Sequence, residues 1–201
     1  MSKVNDAVIV SATIDVSMVD IINKLSRSIH ADMAEVGWWD DPERCLVSCV
    51  QLISTEIAEA TEGARKDIMD DHLTHRKMVE VELADALIRL LDLGGKGTLT
   101  YTGIRSLDDT TYVISPDYPI IKQLYLINRL IFKFGDLLFT SDISDRDRLS
   151  YHYTDVINAI LTVADQEGYN IYLTMLEKMD YNRKRADHKR ENRAAAGGKK
   201  F

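Results

Sequence analysis

The chain has 201 residues, 45% of them hydrophobic and 28% charged, which suits one domain (1–201) with a sizeable core. No apolar run reaches the ~18 residues of a membrane span, and the N-terminus lacks a basic-then-apolar leader, so no membrane association and a cytosolic location are expected. The net charge of −7 argues against a general nucleic-acid binder, yet it is unevenly placed: residues 178–201 hold nine Lys or Arg against three acidic residues, a net +6 that leaves −13 for the remainder. An acidic body joined to a basic arm suits an anionic substrate bound through metal.

Residues 1–15 show no clear period and read as an irregular lead-in. From Val16 the set Val16, Val19, Ile22, Leu25, Ile29, Met33 and Val36 recurs at three and four residues and predicts an amphipathic helix ending at Gly37. Trp38 and Trp39 follow on a loop, where they anchor it to the core or stack a nucleobase. Asp41-Pro42 reads as a helix start, Asp as cap and Pro at the first helical position. That helix carries Glu56 and Glu59, and Arg65 and Lys66 lie near its end, where they complement the dipole or, for Lys66, reach a substrate phosphate. Asp70-Asp71 are expected to open the next helix, which runs to Gly94-Gly95. A polar, Thr- and Tyr-rich stretch predicts a β-hairpin insertion around 97–115. Gly95-Lys96-Gly97-Thr98 within it lacks the earlier glycine of a phosphate loop. Pro119 opens a helix with Ile120, Ile121, Leu124, Ile127, Leu130, Ile131, Phe134 and Leu138 on one face. Ser144-x-x-Asp147 resembles a capping box for a helix through Ala164, and Gly168 precedes a last helix with Ile171, Leu173, Leu176 and Met179. Residues 194–201 read as a flexible tail. The expected fold is all-α, a bundle of about five or six helices with the small hairpin inserted.

Chemistry concentrates in Glu56-x-x-Glu59 and Glu82-x-x-Asp85. Residues three apart share a helix face, so each pair presents two carboxylates together. The helix around Glu82, Asp85 and Arg89 is otherwise apolar nearly all round, hence buried, and buried carboxylates must be paired, hydrogen-bonded or metal-bound. If the two helices pack antiparallel, four carboxylates converge, and a hard divalent cation is their natural complement. The competing structural reading puts the first pair on a solvated face and the second in caps or salt bridges. A di-iron bundle would need Glu-x-x-His, which no histidine here supplies. Cys45 and Cys49 imply no disulfide, and a zinc site from them with His72 and His75 has only loose spacing.

The order of these pairs, with Gly37-Trp38-Trp39, Asp70-Asp71-His72-Leu73, Ala84-Asp85-Ala86-Leu87-Ile88-Arg89-Leu90-Leu91-Asp92 and Tyr181-Asn182-Arg183-Lys184-Arg185-Ala186-Asp187-His188-Lys189, resembles the MazG-like all-α nucleoside triphosphate pyrophosphohydrolases. The likeness is to phage-type members, including those that act on dGTP. It covers 37–93 and 177–201 and hardly touches 97–170; Thr55 stands where many members have a further glutamate. The resemblance implies a homo-oligomer, tetramer or dimer, in bacterial or phage-infected cytosol, with Asn182, Arg185 and Lys189 contacting substrate phosphates. The expected activity is conversion of a (deoxy)nucleoside triphosphate, a purine such as dGTP, to monophosphate and pyrophosphate. Glu56, Glu59, Glu82 and Asp85 are expected to hold two or more Mg²⁺, with Mn²⁺ able to substitute. The rivals are a non-catalytic metal- or nucleotide-binding helical module and a phosphohydrolase with different products.

Overall fold

The structure, a computed structural model, describes residues 3–96, 99–103, 114–140 and 145–194, with side chains placed from Met18 onward except those of residues 187, 193 and 194. Among these the fold is all-helical: α1 (Lys3–Glu35), α2 (Leu46–Lys66), α3 (Met78–Gly95), α4 (Ile120–Thr140), α5 (Arg146–Gln166), α6 (Ile171–Lys184), a 3₁₀ turn (Ala186–His188) and α7 (Arg190–Ala194). α3 is the axis. It packs on α1, α2, α5 and α6, while α4 closes the far side against α2 and α5. Its apolar girth explains this: Leu83, Leu90, Leu91 and Leu93 are all at most 2% exposed. At ~1.5–3 kcal/mol per fully buried leucine, these four offset the several kcal/mol it costs to take a carboxylate out of water on the same helix.

Close helix approach depends on glycine at two places. A Cβ on Gly63 of α2 would lie 2.8 Å from the Met78 Cβ of α3, and one on Gly94 would overlap the buried Tyr153 ring of α5. Gly37 ends α1 with φ of 84°, and the Trp38 amide donates back to the Met33 carbonyl at 3.0 Å, so the chain turns toward α2 where the sequence predicted. Residues 99–103 form a strap across α1 and α5. Asn23 exchanges two 2.9 Å bonds with the Tyr101 backbone, and the Tyr101 hydroxyl donates to Asn158.

Several boundaries differ from expectation. Helix α1 begins at Lys3, not Val16; residues 3–15 contain no glycine or proline to interrupt it. Asp41-Pro42 is a turn in which Asp41 accepts from the Glu43 amide, and α2 starts at Leu46. Asp70 likewise caps a turn, its Oδ1 accepting from the amides of His72 and Leu73, and α3 starts only at Met78. Local side-chain bonds from Asp compete with helix, which is why both aspartates mark turns instead of helix starts. Asp145, accepting from the Arg148 amide, caps α5, and Ser144 lies outside the described residues. The 97–115 hairpin lies mostly outside them too; residues 99–103 carry no strand. Ile121 is 43% exposed instead of joining the α4 core face.

Candidate metal centre and adjoining cavity

Helices α2 and α3 bring three of the four expected carboxylates together. One oxygen from each of Glu56, Glu59 and Glu82 lies within 4.8 Å of the others, the single such group of His, Cys, Asp or Glu among the described residues. Glu56 and Glu82 are buried and Glu59 is exposed, so the triad opens to solvent on one side. Asp85 is not in the triad. Its Oδ2 accepts from the ammonium of Lys178, a 3.0 Å pair in which the lysine side chain is only 4% exposed. Glu56 is paired in turn: the Arg89 Nε donates to its Oε1 at 2.6 Å.

The electrostatics follow from crowding. Burial, reinforced by Asp85 and Glu56, pushes the Glu82 carboxyl up to about 9. Burial also raises Glu56, and Asp85 and Glu59 add to the rise, against the opposing pull of Arg89. Burial alone would depress Lys178, but Asp85, Glu82 and Asp70 carry it above the ordinary lysine value. Two buried carboxyls in contact therefore hold a proton between them, as like charges at close range require. An all-oxygen donor set of this kind fits a hard divalent ion such as Mg²⁺, which would displace that proton.

Lys178 was missed by the sequence reading, and it changes the last helix. Leu173 and Leu176 are 43% and 41% exposed, while the buried face of α6 carries Thr174, Met175, Lys178 and Met179. Of the expected apolar set, Met179 is buried and Ile171 packs against the core, while Leu173 and Leu176 turn outward. Polar partners decide its orientation: Thr174 donates to Glu80 at 2.6 Å, and Arg76 grips Glu177 through two bonds.

Beside the triad lies a cavity of about 360 Å³ whose wall includes Glu56, Glu59, Asp85, Trp38, Trp39 and Asp92. Both tryptophans therefore share one space with the carboxylates. Trp38 is buried at 8% and meets His188 edge-on. Trp39 donates from Nε1 to Asp92 Oδ1 at 2.8 Å, His30 Nδ1 meets the same oxygen at 2.9 Å, and the Lys96 ammonium sits 4.3 Å above the Trp39 ring. Thr55 also lines the cavity, its hydroxyl turned back to the Leu52 carbonyl.

The basic arm reaches this cavity only in part. α6 ends at Lys184 and Arg185 is extended, so Asn182, Arg185 and Lys189 do not form the continuous helical row expected of them. Asn182 and Arg185 line the cavity, whereas Lys189 lines a neighbouring one with Asp32 and Glu35. Lys66 is not on the wall. It pairs with Glu62 at 2.7 Å on the surface of α2. Nor do the zinc candidates gather: Cys45 is exposed, Arg44 donates to the Cys49 sulfur, and His72 and His75 contact Tyr181 and Glu177. No helix among the described residues is long and apolar enough to cross a membrane. No protein-family model, curated protein or solved structure matches the chain.

Proposed function

We propose that this chain is a cytosolic, Mg²⁺-dependent pyrophosphohydrolase of the MazG-like kind, cutting a nucleoside triphosphate to its monophosphate and pyrophosphate. The observation that carries the reading is the Glu56–Glu59–Glu82 triad opening beside a cavity that also holds two tryptophans and Arg185. Carboxylates suit a hard cation, guanidinium suits phosphate, and indole suits a base, so one space offers a complement to each part of a nucleotide. Glu56, Glu59 and Glu82 would hold the ion, with Asp85 beside them. When bound, Mg²⁺ supplies charge neutralisation for the polyphosphate and acidifies water for attack. The chain's own residues do the rest. Arg89 and Lys178 fix Glu56 and Asp85 in place, Asn182 and Arg185 orient the phosphates, and the tryptophans exclude water from the base end. The homo-oligomer, dimer or tetramer, belongs to the same proposal.

One observation favours the non-catalytic rival: Glu56 and Asp85 already have cationic partners at 2.6 and 3.0 Å, so part of the cluster is satisfied without an ion. The discriminating experiment incubates the protein with all eight common ribo- and deoxyribonucleoside triphosphates and Mg²⁺ and identifies products by ³¹P NMR. Monophosphate and pyrophosphate, lost with chelator and reduced by over ~10²-fold in a folded Glu82→Gln protein, are expected. Triphosphate or inorganic phosphate as product would point to another phosphohydrolase, and no turnover to a binding module.

A further inference from the structure

We propose that the outer face of α4 is a self-complementary docking surface that pairs with the same face of a second copy of this chain, the two helices running antiparallel about a two-fold axis at Phe132. The nucleotide reading specifies neither this face nor this symmetry, and α4 belongs to the stretch that the family likeness hardly touches. Two sides of α4 are taken by α2 and α5. Its remaining side carries Tyr125, Arg129, Phe132, Asp136 and Phe139, all exposed. They follow at steps of four, three, four and three residues, so at 3.6 residues per turn they stay within about 80° of arc and form one stripe. This is the spacing of a seam between two helices, with aromatic rings at one heptad position and charges at the other.

The three rings, in chain order, are 59%, 48% and 79% exposed. At about 200 Å² for a whole aromatic side chain, that leaves roughly 370 Å² of ring surface in water along one helix, the scale of the largest, often functional, apolar patch on a monomeric protein. Exposed Ile121, one turn before Tyr125, extends it. The patch is about half of the ~800 Å² that each partner contributes to a standard interface, and the charged side chains of the stripe supply much of the rest.

What covers the stripe follows from its charges. Phe132 is the midpoint, with Arg129 three residues before it and Asp136 four residues after, about 4.5 and 6 Å away along the axis at 1.5 Å per residue. Turning a second α4 end for end about Phe132 brings each Arg129 level with the other copy's Asp136 to within about 1.5 Å, and each Tyr125 level with the other copy's Phe139. Both ion pairs then form at once, because a two-fold interface repeats every contact. A parallel pairing would instead set Arg129 beside Arg129 and Asp136 beside Asp136, which repels at both layers. The Arg129 guanidinium already lies along the stripe, 6.0 Å from the centroid of the Tyr125 ring. Read backwards, the stripe is its own complement in charge and in ring placement, so a second copy of this chain is the partner that matches it.

The test is sedimentation velocity of the intact chain at concentrations from about 1 to about 100 μM. Wild type is expected to reach twice the 22.8 kDa of one chain, or a multiple of that dimer. Phe132→Glu sets two carboxylates on the axis and should leave the chain monomeric, or halve a larger assembly, with its helical circular dichroism unchanged because the position lies at the surface. Arg129→Asp and Asp136→Arg, made singly, should each weaken self-association by ~10-fold or more, since each puts like charges together twice. Combining the two exchanges the charges and restores both pairs, so the double variant should regain the wild-type mass at the same concentration. A monomeric wild type overturns the proposal, and so does an oligomer whose mass these changes leave alone, since it would be built through another face. Weakened single variants without recovery in the double variant overturn the antiparallel axis. No residue of α4 lines the cavity, so triphosphate turnover bears on the nucleotide reading alone and the mass measurements on this one.

Discussion

Magnesium binding to this cluster should expel a proton, and the size of the effect follows from Glu82. Its carboxyl is pushed up to about 9 from an ordinary 4.5, chiefly by burial, so at pH 7 the Glu56–Glu82 pair holds a proton that the ion must displace. One proton per ion makes the affinity fall tenfold per pH unit well below 9, hence about 50-fold, or ~2.3 kcal/mol, between pH 9, where the carboxyl is half ionised, and pH 7. The metal-free protein should show the opposite slope. A folded pKa above the unfolded one means the native state binds more protons between about 4.5 and 9, so stability falls as pH rises through that window. Glu82→Gln removes the titrating group. Its metal-free Tm should exceed wild type near pH 9 and vary less than wild type from pH 6 to 9, and its Mg²⁺ affinity should be weak and less pH-dependent, Glu56 being the raised carboxyl that remains. Titration calorimetry at pH 7 in two buffers of different ionisation enthalpy should count about one proton released per Mg²⁺. A wild-type Mg²⁺ affinity that is level from pH 7 to 9, with Tm profiles of wild type and Glu82→Gln superimposed, would refute the reasoning.

The two tryptophans should separate by assay: Trp38→Ala, at a buried position, should cost ~3–5 kcal/mol in denaturant unfolding. Trp39→Ala should weaken nucleotide binding by ~1–3 kcal/mol, the scale of base–aromatic stacking. Arg185→Ala should lower kcat/KM for triphosphate by ~10-fold or more, and Lys189→Ala by distinctly less, because only Arg185 lines the cavity with the carboxylates; equal losses would contradict that placement. Gly94→Ala drives a methyl into the Tyr153 ring and should destabilise by ~1–3 kcal/mol, read as a Tm drop of ~2–4 °C per kcal/mol for a chain of this size.

The helices that proved easiest to read are those in which burial alone sets the pattern. α3 reads as a nearly continuous apolar run because it touches four other helices, and the stripe Glu82–Asp85–Arg89 stands out against that run. The starts of α2 and α3 were illegible for a local reason: Asp41 and Asp70 look like caps, yet each spends its carboxylate on a turn several residues before the helix. α6 was misread because three and four residue spacing is blind to ion pairs. Nothing in Ile171-Tyr-Leu-Thr-Met-Leu-Glu-Lys178 says that the lysine, not the leucines, faces inward. The partner that orients it, Asp85, lies 93 residues earlier in the chain. Asp92 hid similarly, since an aspartate in the last turns of a helix gives no hint that a histidine and a tryptophan from α1 and its exit will converge on it.

Charge counting around the cluster limits how ions can load it. Glu56, Glu59, Glu82 and Asp85 are faced by Arg89 and Lys178 and by the one proton that Glu82 retains, which leaves a single net negative charge in the metal-free state. Replacing that proton with one divalent ion brings the group to neutrality. A second divalent ion would leave an excess of positive charge in a partly buried site, several kcal/mol uphill unless anionic oxygens accompany it. A triphosphate supplies those oxygens. The expected stoichiometry is therefore about one Mg²⁺ per chain in the absence of nucleotide and a higher value with a non-hydrolysable triphosphate bound, measured by titration calorimetry at pH 9, where proton competition is weakest. Replacing Lys178 by methionine removes one of the fixed cations at nearly constant volume, so if the folded variant takes up no more Mg²⁺ without nucleotide than wild type does, the cluster's charge is not what limits loading.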